Sequence, residues 1–435
     1  METPLKDSTQ STGRFRSLGI RNYKLYFIGQ AISLCGTWMQ TIGQDWLVLS
    51  ITHSGTQLGI VSAFQFLPIL ILGPLGGVLA DRYDKRKILY FTQSFAGVLA
   101  LILGILVATH TVQIWMIYIL ALGLGLSSAT DYPARQTFVS EMVGKDLLSN
   151  AIVLNSTEVN LARAIGPALA GVIIASLGIA PCFIINGLSY IAVIVVLSRM
   201  RKSELQPAQR SSRVKGQLKA GFQYVRKSPI LLYSLIMIAV IGTFSYEFSV
   251  SLPLLAQFSF HGGAGTYSAL VAATGTGSVI GGIFATGRNK ATPKMLVFFS
   301  LLFGITFSLV AFMPNATLAF IMLLLVGVSS INFISIGNTI LQLESAPEMR
   351  GRVMSLWTMA FLGSTPIGGP IIGWIGEHAG PRYGVFVGGI AAILAAGLGA
   401  MTLLKVPKTF LETSVDPSIR QSADELSVEE DMKMR

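Results

Sequence analysis

Residues 67–87 read LPILILGPLGGVLADRYDKRK: fourteen residues without a charge, then seven of which six are charged. The uncharged run reaches upstream to Thr56, and its 25 residues are enough to cross a hydrocarbon core of about 30 Å at about 1.5 Å per helical residue. Backbone in lipid has no water to bond, so such a run closes its own hydrogen bonds as a helix unless it belongs to a closed barrel. The alternation a barrel strand needs is missing from it. The charged cluster cannot follow the run into the bilayer and so marks the membrane edge.

The same punctuation recurs in both directions. Twelve spans are read, at 23–50, 56–80, 87–109, 112–133, 152–177, 179–199, 229–258, 264–287, 293–313, 316–340, 352–376 and 382–404. The fold class is therefore all-α, a polytopic membrane protein with 12 transmembrane helices. Composition agrees: 52% of the 435 residues are hydrophobic and 12% charged, against about 25% charged in soluble domains. Mean hydropathy is +0.63.

A net charge of +11 would suit a nucleic-acid binder, but position explains it. With the N-terminus inside, thirty of the 32 Lys and Arg fall in cytoplasmic segments, Arg135 among them near the end of span four, where it reads as interfacial with a cavity cation as the alternative. The exceptions are Arg163, within span five, and Arg382, in the last external loop. His53, His110, His261 and His378 all fall outside. Both termini are expected in the cytoplasm, no nucleic-acid partner is expected, and residues 1–22 are too polar and basic for a cleavable leader. Cys35 and Cys182 sit in apolar segments and read as packing residues, with no disulfide or metal pattern.

The organisation expected is a cytoplasmic tail (1–22), a six-helix bundle (23–199), a central cytoplasmic loop (200–228), a second six-helix bundle (229–404) and a cytoplasmic tail (405–435). The end of the central loop, Gly216 to Ser228, reads as an amphipathic surface helix, and the acidic final tail reads as disordered. The halves repeat: Gly73 and Gly77 recur as Gly277 and Gly281, and Gly166-Pro167 recurs as Gly369-Pro370. Parallel repeats of this kind are a transporter architecture, with the substrate site at their interface.

Gly77-Val-Leu-Ala-Asp81-Arg82-Tyr-Asp84-Lys85-Arg86 resembles the loop signature G-x-L-A-D-R-x-G-R-R of the major facilitator superfamily, with Asp84 where glycine is usual. Gly29-Gln30, Leu67-Pro68, Gly166-Pro167-Ala168-Leu169-Ala170-Gly171, Ala220 to Arg226 and Arg350-Gly351-Arg352-Val353-Met354 are similar to the enterobactin-exporter and macrolide-efflux branch. The resemblance covers residues 15–405 and implies two pseudo-symmetric bundles of six helices. It also implies a conformational latch in which Gly77, Asp81, Arg82, Lys85 and Arg86 meet a neighbouring helix end and an acid near the end of span four, the place of Asp131. The alternative is that the basic cluster only sets topology. The Gly166, Pro167 and Gly171 segment resembles the antiporter signature G-P-x-x-G-G, which implies export; small residues there also serve plain helix packing.

Ionisable groups held inside a membrane are functional candidates, because an unpaired charge there is costly. Asp131, Glu158 and Glu344 sit near cytoplasmic ends, which leaves two acids well inside spans, Asp45 and Glu247, at corresponding positions of the halves. Asp45 continues a polar stripe of Ser33, Thr37, Gln40, Thr41 and Gln44. It lies near the outer end of span one, so a gate residue is the alternative to a proton-coupling one. Glu247 is the deeper candidate. Arg163 has Glu158 about a turn away, which leaves open a buried pair or a contact for a carboxylate- or catecholate-bearing substrate. Tyr246, Trp38, Trp46 and Tyr190 are stacking surfaces or packing.

The expected function is a secondary active exporter, a proton antiporter for a siderophore or another medium-sized amphipathic molecule. The alternatives are a multidrug or macrolide efflux pump, an importer, or a non-transporting membrane sensor. No G-x-x-x-x-G-K-[ST] loop points to ATP. No catalytic constellation, metal site or cofactor is expected, so the chain is not read as an enzyme. Its expected setting is the bacterial inner membrane, as a monomer whose partners are the bilayer, a small-molecule substrate and protons.

Overall fold

Every crossing is helical, and no strand occurs among the described residues. The computed structural model describes residues 15–206, 217–285 and 291–405. The expectations for the extreme N-terminus, the middle of the central loop, residues 286–290 and the acidic tail lie outside the described residues.

The N-terminal half is built from α1 (Arg21–Thr52), α2 (Gly55–Arg82), α3 (Lys85–Ala108), α4 (Ile114–Leu177) and α5 (Ala180–Arg199). Its turns follow the sequence chemistry. His53 takes a left-handed conformation at the end of α1, and the Ser54 hydroxyl then caps α2 by accepting from the Gln57 amide at 3.2 Å. Asp84 caps α3, its Oδ1 accepting from the amides of Arg86 at 2.9 Å and Lys87 at 3.3 Å. That is a local reason for an acid where the superfamily signature has glycine.

The long α4 is two arms, Ile114–Gly144 and Asp146–Leu177, divided at Gly144, whose φ of +69° only glycine adopts cheaply. This corrects the expected loop after residue 133: the first arm continues to 144 and carries Arg135 in its wall. The reason is one turn upstream. Asp131 pairs with Arg135 at i,i+4, so the helix continues without an isolated charge.

The C-terminal half comprises α6 (Gln217–Lys227), α7 (Pro229–Phe244), α8 (Phe248–Leu254), α9 (Ala264–Ala285), α10 (Pro293–Val310), α11 (Ala316–Leu343), α12 (Pro347–Phe361), α13 (Thr365–His378) and α14 (Pro381–Lys405). Two crossings expected to be continuous are broken. Crossing seven opens at 245–247, between α7 and α8, and crossing eleven opens at 362–364, between α12 and α13. Pro366, the second residue of α13, has no amide to donate and its ring excludes the carbonyl of Leu362, which accounts for the second break. In the first, the Ser245 hydroxyl donates to the Gly388 carbonyl of α14 at 2.6 Å, so the opened turn is tied to a neighbour.

Ten helical stretches among the described residues are long and apolar enough to cross a membrane on their own. The polar stripe of α1 and the shortness of α12 and α13 keep these three out of that set. Large apolar side chains such as Phe91, Val172 and Phe284 point outward. That arrangement is a liability in water and natural in lipid. Inside, Tyr23, Tyr26 and Phe138 are buried in one half, and Phe303, Phe307 and Phe333 in the other.

The halves meet along α2 with α13 and along the second arm of α4 with α9. Gly59 shows how close the first pair is: a Cβ there would run into the Gly369 carbonyl and the Pro370 nitrogen. Backbone meets backbone at that point.

Candidate functional site

The two broken crossings face each other. Gly368 of α13 lies against the Thr243 carbonyl at the end of α7, and any Cβ on it would strike that oxygen. Glu247 stands between them as the residue that starts α8. It is 4% exposed, and its carboxylate points at Gly368 and Gly369, with ideal Cβ positions there 3.0 and 3.5 Å from its two oxygens. The Thr365 side chain lies beside the carboxylate, and Oε1 has no hydrogen-bond partner among the described residues. Broken helices that close on a buried carboxylate form a proton- or ion-binding arrangement, because the loosened backbone provides room and polar groups.

Asp45 lies at the boundary between the halves. It is 4% exposed, and its Oδ2 accepts from the Tyr267 hydroxyl of α9 at 2.6 Å, with Ser249 of α8 nearby. Two more bonds join the halves nearby. Glu377, past the end of crossing eleven, accepts from the Ser54 hydroxyl at 2.6 Å and the Thr56 amide at 2.9 Å. Burial pushes the Glu377 carboxyl up, but these bonds and the nearby His378 hold it below the usual glutamate value. With the contact at Gly59, they seal one end of the molecule.

The polar stripe of α1 lines a cavity of about 100 Å3 inside the N-terminal half. Gln40 accepts from Asn186 Nδ2 at 2.7 Å and Gln44 donates to Gln65 Oε1 at 3.2 Å, so both expected glutamines face polar partners. Asp131 and Arg135 close the cavity as an ion pair, with Arg135 also bonded to Gln30. The other Asp131 oxygen accepts from Thr92 at 2.8 Å and Gln93 at 2.7 Å.

Arg163 makes no ion pair with Glu158; the salt bridges among the described residues lie elsewhere. Its guanidinium sits 5.3 Å from the ring centre of Trp38 and 5.9 Å from that of Phe248 across the boundary, and its Nε has no hydrogen-bond partner among the described residues. Aromatic rings attract a cation without supplying an anion. Tyr246 donates to the Ser330 carbonyl at 2.9 Å and packs among Phe248, Phe303 and Phe361. A largely buried cation therefore projects from the N-terminal half against an aromatic wall of the other.

The loop after α2 is engaged differently from the expected latch. Lys85 pairs with Glu141 at 2.7 Å, and Arg86 donates to the Ser198 carbonyl at 3.1 Å and lies over Tyr90. Arg82 is exposed, and the Asp81 side chain lies outside the described residues. Asp131 directs its bonds into the cavity wall. Glu141, ten residues beyond it on the same arm, is the acid that the loop reaches and that the sequence did not single out. Gly77 is buried, and Gly166 packs against the Trp38 side chain and the Cys35 carbonyl of α1. Pro167 is buried beside it, and Gly171 faces Ser268 of α9.

Comparison with known proteins places this geometry in context. A family model described as transmembrane secretion effector matches residues 12–435. The staphyloferrin A transporter of Staphylococcus aureus (strain NCTC 8325 / PS 47) is 30% identical over 360 residues, which cover 79% of this chain and 87% of the relative. The enterobactin exporter EntS of Citrobacter koseri is 24% identical over 385 residues, covering 88% and 91%. A bacterial homologue of the human lysosomal transporter Spinster, solved inward-facing and occupied, aligns with a TM-score of 0.70 at 13% identity, over 91% of this chain and 98% of that one. At that identity the likeness is one of fold.

Proposed function

Because the chain belongs to the transmembrane secretion effector family of the major facilitator superfamily, a family of multi-pass membrane transporters, we propose that it exports a siderophore or a similar amphipathic small molecule in exchange for protons. The observation that carries the coupling is Glu247, a buried carboxylate with one unmatched oxygen where two broken crossings meet. A group so placed takes up a proton in one arrangement of the helices and releases it in another. The names of the relatives support the substrate class.

The other residues take roles around it. Arg163 and the aromatic wall receive an anionic, partly apolar substrate. Asp45 acts as a gate through Tyr267. The basic residues orient the chain with both termini in the cytoplasm of a bacterial inner membrane. In that orientation the end closed by Ser54, Thr56 and Glu377 faces outward, and substrate loads from the inside. The chain works as a monomer and catalyses no covalent chemistry. In inverted vesicles with an acidic interior, candidate siderophores should accumulate, and an uncoupler should abolish this. Glu247→Gln should lose the uphill component. Accumulation that ignores the uncoupler and the substitution would sink the proton-exchange reading.

A further inference from the structure

Besides Asp45 and Asp131, a further carboxylate is buried in the N-terminal half. Glu158, on the second arm of α4, is 7% exposed, and its Oε1 has no hydrogen-bond partner among the described residues. It lies within electrostatic reach of Tyr23, Tyr26 and Cys35 of α1 and of Arg135 on the first arm. Two other buried side chains there are also short of partners: the Tyr26 hydroxyl, at 2% exposure, and Gln30 Nε2, at 3%.

The charges do not balance around this cluster. Arg135 is committed to Asp131, to which it donates through Nε at 3.1 Å and through a terminal nitrogen, and to Gln30. One cation is thus matched to one acid, and Glu158 is left over, buried and without an ion-pair partner among the described residues. A buried carboxylate without a counter-charge is held neutral by a proton. We propose that Glu158, with Tyr26, Gln30 and Arg135 about it, is a proton-binding site of the N-terminal half.

The neighbouring geometry supplies a release step. Asp131 keeps the hydrogen bonds from Thr92 and Gln93 on its other oxygen, so it is not stranded when Arg135 turns away. As Arg135 swings to Glu158, the acid O–H bond breaks, the proton passes to water, and the carboxylate keeps the electron pair and meets the guanidinium. When Arg135 returns to Asp131, Glu158 takes up a proton again. The groups facing Glu158 in this exchange are Tyr23, Tyr26 and Cys35 from α1, and Asp131 and Arg135 from the first arm of α4.

The role in transport rests on the proton-exchange reading, whereas the site itself is tested without substrate. Purified protein in lipid nanodiscs is titrated by infrared difference spectroscopy. A carboxylic-acid carbonyl band is expected in the wild type, lost in Glu158→Gln and moved in frequency in Glu158→Asp. Labelling with carbon-13 glutamate in a Glu247→Gln background moves the same band with Glu158 unaltered, which covers the case of a Glu158 variant that misfolds. Superimposable wild-type and Glu158→Gln spectra, or a Glu247→Gln chain in which no labelled band titrates, overturn the proposal. In vesicles, Glu158→Gln should lose accumulation driven by a pH difference. If the wild type proves indifferent to that difference while the Glu158 band is present, the antiport reading fails and the proton site stands.

Discussion

The carboxylate of Asp45 and the hydroxyl of Tyr267 share a hydrogen bond of 2.6 Å that ties α1 to α9 across the boundary between the halves. Both side chains are buried, so water does not replace the bond when it is lost. Tyr267→Phe removes the donor and keeps the ring. A hydrogen bond to a carboxylate contributes about 1.5–3 kcal/mol, so the sealed-end population should fall by roughly ten- to a hundredfold relative to the open one. Spin-label distances across that end would report it. An unchanged distance distribution would show that the bond does not hold the gate.

Glu377 makes the other side-chain bond at this end, and its behaviour with pH has a definite sign. Its carboxyl sits below the ordinary glutamate value in the folded chain, so its contribution is fully present above that ordinary value, about 4.3. It fades only as pH falls through the lowered value. The difference in end-sealing between wild type and Glu377→Gln should therefore stay constant from about pH 8 to pH 5 and shrink below that. A difference that disappears between those limits would contradict the bonding to Ser54 and Thr56.

Arg163 is expected to act on substrate charge. Arg163→Gln keeps a polar side chain but removes the cation between Trp38 and Phe248. Apparent affinity for anionic substrates should drop by roughly ten- to a hundredfold, the worth of one hydrogen bond to a charged group. Neutral substrates of similar size should be little affected. Concentration dependence of transport for matched anionic and neutral compounds checks this, and an equal loss for both would assign Arg163 to packing alone.

Lys85 and Glu141 are nearly buried, at 10% and 12% side-chain exposure. Removing one member of such a pair leaves the other uncompensated, at a cost of about 3 kcal/mol. Lys85→Ala and Glu141→Ala should each lower the unfolding temperature in detergent, and the double variant should lose less than the two losses combined. Strict additivity would mean that the contact does not couple the two residues.

Much of the fold was legible beforehand because its governing forces are local. The run before Asp81 is apolar for long enough to demand a helix, and α6 follows from the amphipathic pattern after Gly216. The break at 362–364 also had a signal, in Pro366. Charge weighed residue by residue puts Arg135 at the interface and leaves the cavity only as an alternative. The spacing Asp131 to Arg135, one helical turn, was the clue that it belonged inside. Among site residues, Asp45, Glu247, Gln40 and Gln44 were visible as polar groups in apolar runs. Tyr267, Thr365 and Glu141 were not, since nothing distinguishes them until their partners are known.

By itself the sequence determined the helical class, the approximate crossings and the short set of charges that topology leaves unexplained. It could do so because a backbone in lipid must satisfy its hydrogen bonds within each segment, and a charge must avoid the hydrocarbon or find company. Which company each charge keeps was decided only by the tertiary structure. Arg163 stands one turn or so from Glu158 in the chain yet rests on Trp38 and Phe248, while Asp45 finds Tyr267 222 residues away. Side-chain partners depend on which helices pack together and at what rotation, and no local spacing encodes that.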